Sequence, residues 1–147
     1  MEFDRTAGWL ITMFMTYRIA GKRKMRKIGP NCGPFETEEA ALQAVVDRLV
    51  AVLQPEAIYL FGSRARGEHT PESDFDLLVI TRSEDGEAAC DYERVYDPIA
   101  GMGIGCDIVP CPKHEFEAEK IAKTGLVRTV LREGRPVYER TVSELPL

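Results

Sequence analysis

The stretch that most constrains this chain is residues 57–80, AIYLFGSRARGEHTPESDFDLLVI. Two apolar runs, AIYLF and FDLLVI, flank a Gly-Ser turn and a polar, Pro-containing loop. The first run is apolar on both faces, the pattern of a strand inside a sheet. Gly62 lets the chain turn tightly and leaves its backbone open to close approach. Ser63 suits the N-cap of a short helical segment at residues 64–66, which Gly67 would end. Strand, Gly-Ser turn and helix start together turn backbone N–H groups and a hydroxyl one way, which suits an anion. Arg64 and Arg66 add positive charge nearby, one of them as a structural ion-pair partner.

In the second run side chains alternate. Phe75, Leu77 and Val79 share one face; Asp74, Asp76, Leu78 and Ile80 share the other. Aspartate is disfavoured in strands, yet two stand at the mouth of this one. At ~3.4 Å per residue they lie ~7 Å apart along the strand. From there two carboxylates can share divalent cations held ~3.5–4 Å apart. Alone, the pair reads as a turn cap (Asp74) and a solvated strand end (Asp76).

A third acid changes the balance. Residues 87–100 carry a helical pattern, with Ala88, Tyr92, Val95, Tyr96 and Ile99 on its apolar side and Pro98 to kink or end it. After a Gly101-Met102-Gly103 turn, IGCDIV at residues 104–109 reads as a short strand whose only charge is Asp107. Strands joined by helical crossovers tend to be neighbours, which puts Asp107 beside Asp76.

The rest of the pattern predicts an α/β fold: a small mixed β-sheet of three to five strands, acids and Gly-Ser turn at one edge, with helices packed against it. Thr37 caps a helix with Glu38 and Glu39 in its first turn. Leu42, Val45, Val46, Leu49 and Leu53 form its apolar stripe, and Pro55 stops it. Residues 113–123 read as a charged helix exposing Glu115, Glu117, Glu119 and Lys120. Leu126, Val127, Val130 and Leu131 pack a last helix, Gly134 ends it, and Pro136-Val137-Tyr138 is extended.

At 147 residues the chain is one domain with one core, read as residues 36–147 preceded by an extension, residues 1–35, whose role stays open. The extension carries a net +5 and the remainder −10. An acidic body argues against polynucleotide as a partner, because phosphate neutralisation supplies most of that affinity. The apolar run at residues 9–17 is shorter than the ~20 residues a bilayer needs. Its basic cluster, Lys22, Arg23, Lys24, Arg26 and Lys27, follows the run, whereas a signal peptide places it before. The extension therefore reads as a segment that packs on the body or stays loose, with Met25 or another internal Met as an alternative start. Cys32, Cys90, Cys106 and Cys111 show neither zinc-ligand spacing nor a disulfide framework, and His69 and His114 lack companions. A reducing cytoplasm and no membrane are the expectation.

Gly62-Ser63, ten intervening residues, then Asp74-x-Asp76, with Asp107 in a later strand, resembles the DNA polymerase β-type nucleotidyltransferase superfamily. GSRARGEHTPESDFDLLV is most similar to its minimal nucleotidyltransferases, often encoded beside a HEPN-domain protein as the antitoxin of a toxin–antitoxin pair. The likeness runs from about residue 37 to residue 140, including LREGRPVYER; residues 1–35 have no counterpart. It implies a nucleotidyltransferase core in which Gly62 and Ser63 hold the triphosphate and Arg66, ahead of Arg64, contacts phosphate. It further implies that Asp74 and Asp76 bind Mg²⁺ (two ions), with Asp107 completing the site and helping to activate the acceptor hydroxyl. The implied activity is transfer of AMP from ATP to a hydroxyl, tyrosine first, of a cognate HEPN ribonuclease. Two alternatives stay open: modification of a small molecule such as an aminoglycoside, and an antitoxin that neutralises by binding alone. Nucleotide preference, acceptor and oligomeric state are not legible.

Overall fold

The computed structural model describes residues 29–122 and 124–141; the apolar run at residues 9–17 and the basic cluster at 22–27 lie outside them. The described chain is α/β, a four-stranded mixed sheet with helices on both faces. No helix among the described residues is long and apolar enough to cross a membrane.

Helix α1, Glu38–Leu53, begins as its sequence dictates. Thr37 is extended, and its hydroxyl oxygen accepts the Ala40 N–H at 3.0 Å. Glu38 and Glu39 lie in the first turn, where the helix dipole favours them. Ala41, Val45, Val46, Leu49 and Leu53 are buried, while Leu42 sits at the margin of the stripe. Burying a Val or Leu completely contributes at most ~1.5–3 kcal/mol, so this stripe anchors the helix. The helix ends on Gln54, left-handed at φ 48°, immediately before Pro55.

The strands are β1, Ala57–Phe61; β2, Phe75–Thr81; β3, Cys106–Pro112; and β4, Arg135–Glu139, in the order β3-β2-β1-β4. β1 is interior and antiparallel to both neighbours, and β2 and β3 are parallel. β4 is an edge strand, where Pro136 and a register shift between Ile58 and Tyr59 are tolerated. All seven residues of β2 are buried.

Alternation sorts the sheet into two cores. Ile58, Leu60, Phe75, Leu77, Val79 and Ile108 meet α1 on one face. Phe61, Leu78, Ile80, Val109 and Cys111 meet Phe116 of α4 (Lys113–Lys120) and Leu126, Val127 and Val130 of α5 (Leu126–Glu133) on the other. Asp76 and Asp107 belong by parity to this second face, at the end where its apolar lining stops.

Several expectations shift. Glu119, expected on an exposed helix face, is fully buried, and its helix α4 ends at Lys120. Residues 87–100 do not form one helix: a 3₁₀ stretch, Ser83–Cys90, is broken at Gly86 (φ 64°), and only α3, Tyr92–Tyr96, is α-helical. Asp85 receives Arg82 at 3.1 Å and Arg94 at 3.0 Å, and Asp91 caps α3 through the Glu93 and Arg94 amides. Burial alone would raise the Asp85 carboxyl; Arg94 and Arg82 more than offset it and hold it below the usual carboxylate range. The third strand extends to Pro112, and Leu131 is 38% exposed where packing was expected.

Candidate active site

The turn after β1 is built differently from its sequence signature. The short helix α2, Ser63–Arg66, includes Ser63 in its first turn, and Gly62 occupies the cap position. Gly62 holds φ 73°, ψ −157°, a region open essentially to glycine alone. A methyl group there would overlap the Asp76 carboxylate, so the absent side chain is the space that carboxylate fills. Phe61 is the ladder partner of Asp76, which brings the turn beside the acid. The Gly62 carbonyl accepts the Ala65 and Arg66 amides at 3.1 Å, so the Ser63 and Arg64 amides lie ahead of the helix's own bonds. Gly67 ends α2 at φ 75°, as expected.

Asp76 and Asp107 are directly paired across the parallel β2–β3 ladder. Paired residues of adjacent strands point to the same face, so the expected neighbourhood is realised. Asp76 is 2% exposed and Asp107 4%. Asp74 is half-buried one residue before β2, and its carboxylate fills the space beside Gly105 where a Cβ would stand. Burial first, then Asp74, Asp107 and Asp76, push the Cys106 thiol far above its ordinary range. The three acids thus act together on one strand end.

The two arginines differ. Arg64 is 8% exposed, with its guanidinium 4.2 Å above the Phe75 ring and 3.2 Å from Glu38. Its Nε and Nη2 donate to the Ser73 carbonyl at 3.0 and 2.8 Å, and Nη2 also reaches the Pro71 carbonyl at 3.2 Å. Arg64 therefore fixes the loop leading into Asp74. Arg66 is exposed and pairs with Glu68 at 2.7 Å and Glu133 at 3.4 Å. Those bonds are exchangeable at a wet surface, so Arg66 is the arginine able to meet an incoming anion.

Among the described residues no group of three or more His, Cys, Asp or Glu side chains is arranged to hold a metal ion. The donor set nevertheless suits Mg²⁺, which takes one or two carboxylates together with phosphate oxygens and water rather than a full protein cage. The adjacent pair Asp76 and Asp107 could supply those two carboxylates, with Asp74 just ahead of β2.

Sequence reading missed Asn31, 7% exposed, which bonds to Gly105 and to Ser73. Its partners are 42 and 74 residues away, beyond any periodicity or motif.

Comparison with known proteins identifies the family. The nucleotidyltransferase domain family matches residues 42–137. A Methanocaldococcus jannaschii protein named "putative protein adenylyltransferase" is 32% identical over 103 residues, spanning 69% of this chain and 98% of that protein. A solved structure from Sulfolobus solfataricus, described as a putative nucleotidyltransferase, aligns at 21% identity with a TM-score of 0.41, over 66% of this chain and 88% of the other. On the first two matches, the chain belongs to the nucleotidyltransferase domain family and is a nucleotidyltransferase.

Proposed function

We propose that this chain transfers AMP from ATP to a hydroxyl, tyrosine first, of a cognate HEPN-domain toxin and thereby acts as its antitoxin. The observation that carries the catalytic part is the Asp76–Asp107 pair beside Gly62. Adenylyl transfer to protein is supported by the relative named a protein adenylyltransferase. The HEPN partner is supported by the GSRARGEHTPESDFDLLV pattern, and a reducing cytoplasm is the compartment in which four unpaired cysteines are at home.

In this reading the Gly62-Ser63 turn receives the triphosphate, with backbone amides and the Ser63 hydroxyl facing it. Arg66 leaves Glu68 and Glu133 for a phosphate oxygen. Asp74, Asp76 and Asp107 would hold Mg²⁺, which when bound neutralises phosphate charge and lowers the energy of in-line displacement. Asp107, on the outer strand β3, helps draw the proton from the acceptor hydroxyl. The hydroxyl oxygen bonds to the α-phosphorus as the bond from that phosphorus to the bridging oxygen breaks, and pyrophosphate departs with the electron pair. Gly62 keeps the Asp76 carboxylate close against the turn, so phosphate and acid are held at one point.

The test is neutralisation of the HEPN ribonuclease by native protein and by Asp74→Ala/Asp76→Ala, with intact mass of the ribonuclease recorded. The proposal expects native protein to silence the ribonuclease and add AMP, and the double variant to do neither. Equal protection by both proteins without a mass change would sink the catalytic reading in favour of neutralisation by contact.

A further inference from the structure

Asn31 lies outside the matched family region, yet it bonds to the residues just ahead of β2 and β3. Its Oδ1 accepts the Gly105 N–H at 2.6 Å, and its Nδ2 donates to the Gly105 carbonyl at 2.9 Å and the Ser73 carbonyl at 3.0 Å. The same Gly105 carbonyl accepts the Phe75 N–H at 3.1 Å, at the start of the β2–β3 pairing. The Asn31 backbone N–H adds a bond to the Pro71 carbonyl at 2.7 Å. One buried amide thus spans the residue before Asp74 and the residue two before Asp107. The Asp74 carboxylate and the Asn31 Oδ1 both crowd the Cβ position of Gly105, the latter at 3.3 Å.

We infer that Asn31 is a positioning residue for the acidic centre: its amide locks the two strand mouths together and so fixes Asp74 and Asp107 relative to Asp76. The inference rests on the metal-site reading above. The physical case is that the Asn31 side chain is buried, that its three bonds have good length, and that their partners are backbone atoms unable to swing away. Arg64 shares the Ser73 carbonyl, whereas the Asn31 side chain holds the Ser73 and Gly105 carbonyls together, beside the Phe75–Gly105 backbone bond. Supporting groups of this kind typically change metal affinity ~10–100-fold when removed.

The experiment titrates Mn²⁺ alone into the full-length protein, following unbound Mn²⁺ by electron paramagnetic resonance, for the native protein, Asn31→Ala, Asn31→Asp and Asp76→Asn. Circular dichroism confirms the fold of each. Asn31→Ala should weaken Mn²⁺ binding ~10-fold or more. Asn31→Asp is isosteric and keeps the acceptor for Gly105 while losing both donors. Its added negative charge would by itself tighten cation binding, so weakened binding reports positioning. If Asp76→Asn loses Mn²⁺ while either folded Asn31 variant binds as tightly as native, the positioning role is overturned and the metal site stands. If native protein binds no Mn²⁺, or Asp76→Asn binds it like native, the metal reading itself fails and this inference with it.

Discussion

Replacing Gly62 with alanine tests the coupling between turn and acid. Two costs follow from the geometry. The φ 73°, ψ −157° conformation charges a side-chain-bearing residue ~1–3 kcal/mol. The new methyl also overlaps the Asp76 carboxylate, which must move. For a chain of this size ~1 kcal/mol lowers Tm by ~2–4 °C, so Gly62→Ala should melt ~2–12 °C early. The control is Gly67→Ala: its φ is 75°, but nothing lies within 4 Å of the added methyl. That variant carries only the left-handed penalty of ~1–2 kcal/mol. Thermal melts followed by circular dichroism, and calorimetric titration with ATP and Mg²⁺, separate the two. Gly67→Ala should bind the nucleotide like native protein, whereas Gly62→Ala should bind ~10–100-fold more weakly, the usual effect of disturbing a group that supports a metal site, as proposed for Asp76. Equal Tm loss and equal affinity in the two variants would refute the claim that Gly62 is shaped by Asp76.

Arg66→Ala should raise the KM for ATP ~10-fold, about the value of a charge-assisted phosphate contact, with Tm shifted by less than ~2 °C because its ion pairs are exposed. Gly134→Ala should lower Tm for a purely steric reason: Gly134 is extended, but a Cβ would meet the Leu60 and Val130 carbonyls at 2.5 and 2.7 Å. Overpacking of this kind costs ~1–3 kcal/mol and is read in a urea melt as a lower midpoint. Glu115 is half-buried with Oε2 unpaired, and burial pushes its carboxyl above the usual range although His114 opposes. An acid whose folded pKa is raised loses stability as pH climbs from its unfolded value through its folded one. Glu115→Gln should therefore raise Tm slightly at pH 7, by less than ~2 °C because the group is partly solvent-screened, and make no difference below pH ~4.

The fold was legible where side-chain period and burial coincide. α1, β1 and β2 run where their patterns put them, and the alternation in β2 separates Phe75 from Asp76 correctly. The segment at residues 87–100 was not legible, because an apolar period survives there while Asp91, extended as the cap of α3, interrupts the helix. Ser63 has the chemistry of a cap, yet Gly62 takes that position because only glycine fits against Asp76. The pairing of Asp107 with Asp76 followed from a topology rule. Asn31 did not, since a lone asparagine near a basic run announces nothing until the chain is folded.

The central claim is that the Asp76–Asp107 pair supports attack at the α-phosphorus of ATP. The direct measurement follows separate α- and γ-³²P labels of ATP, with Mg²⁺ and the HEPN-domain protein, using native protein and Asp107→Asn. The account predicts that the α label alone becomes protein-bound, and only with native Asp107. Transfer of the γ label, or α-label transfer by Asp107→Asn at the native rate, would contradict it.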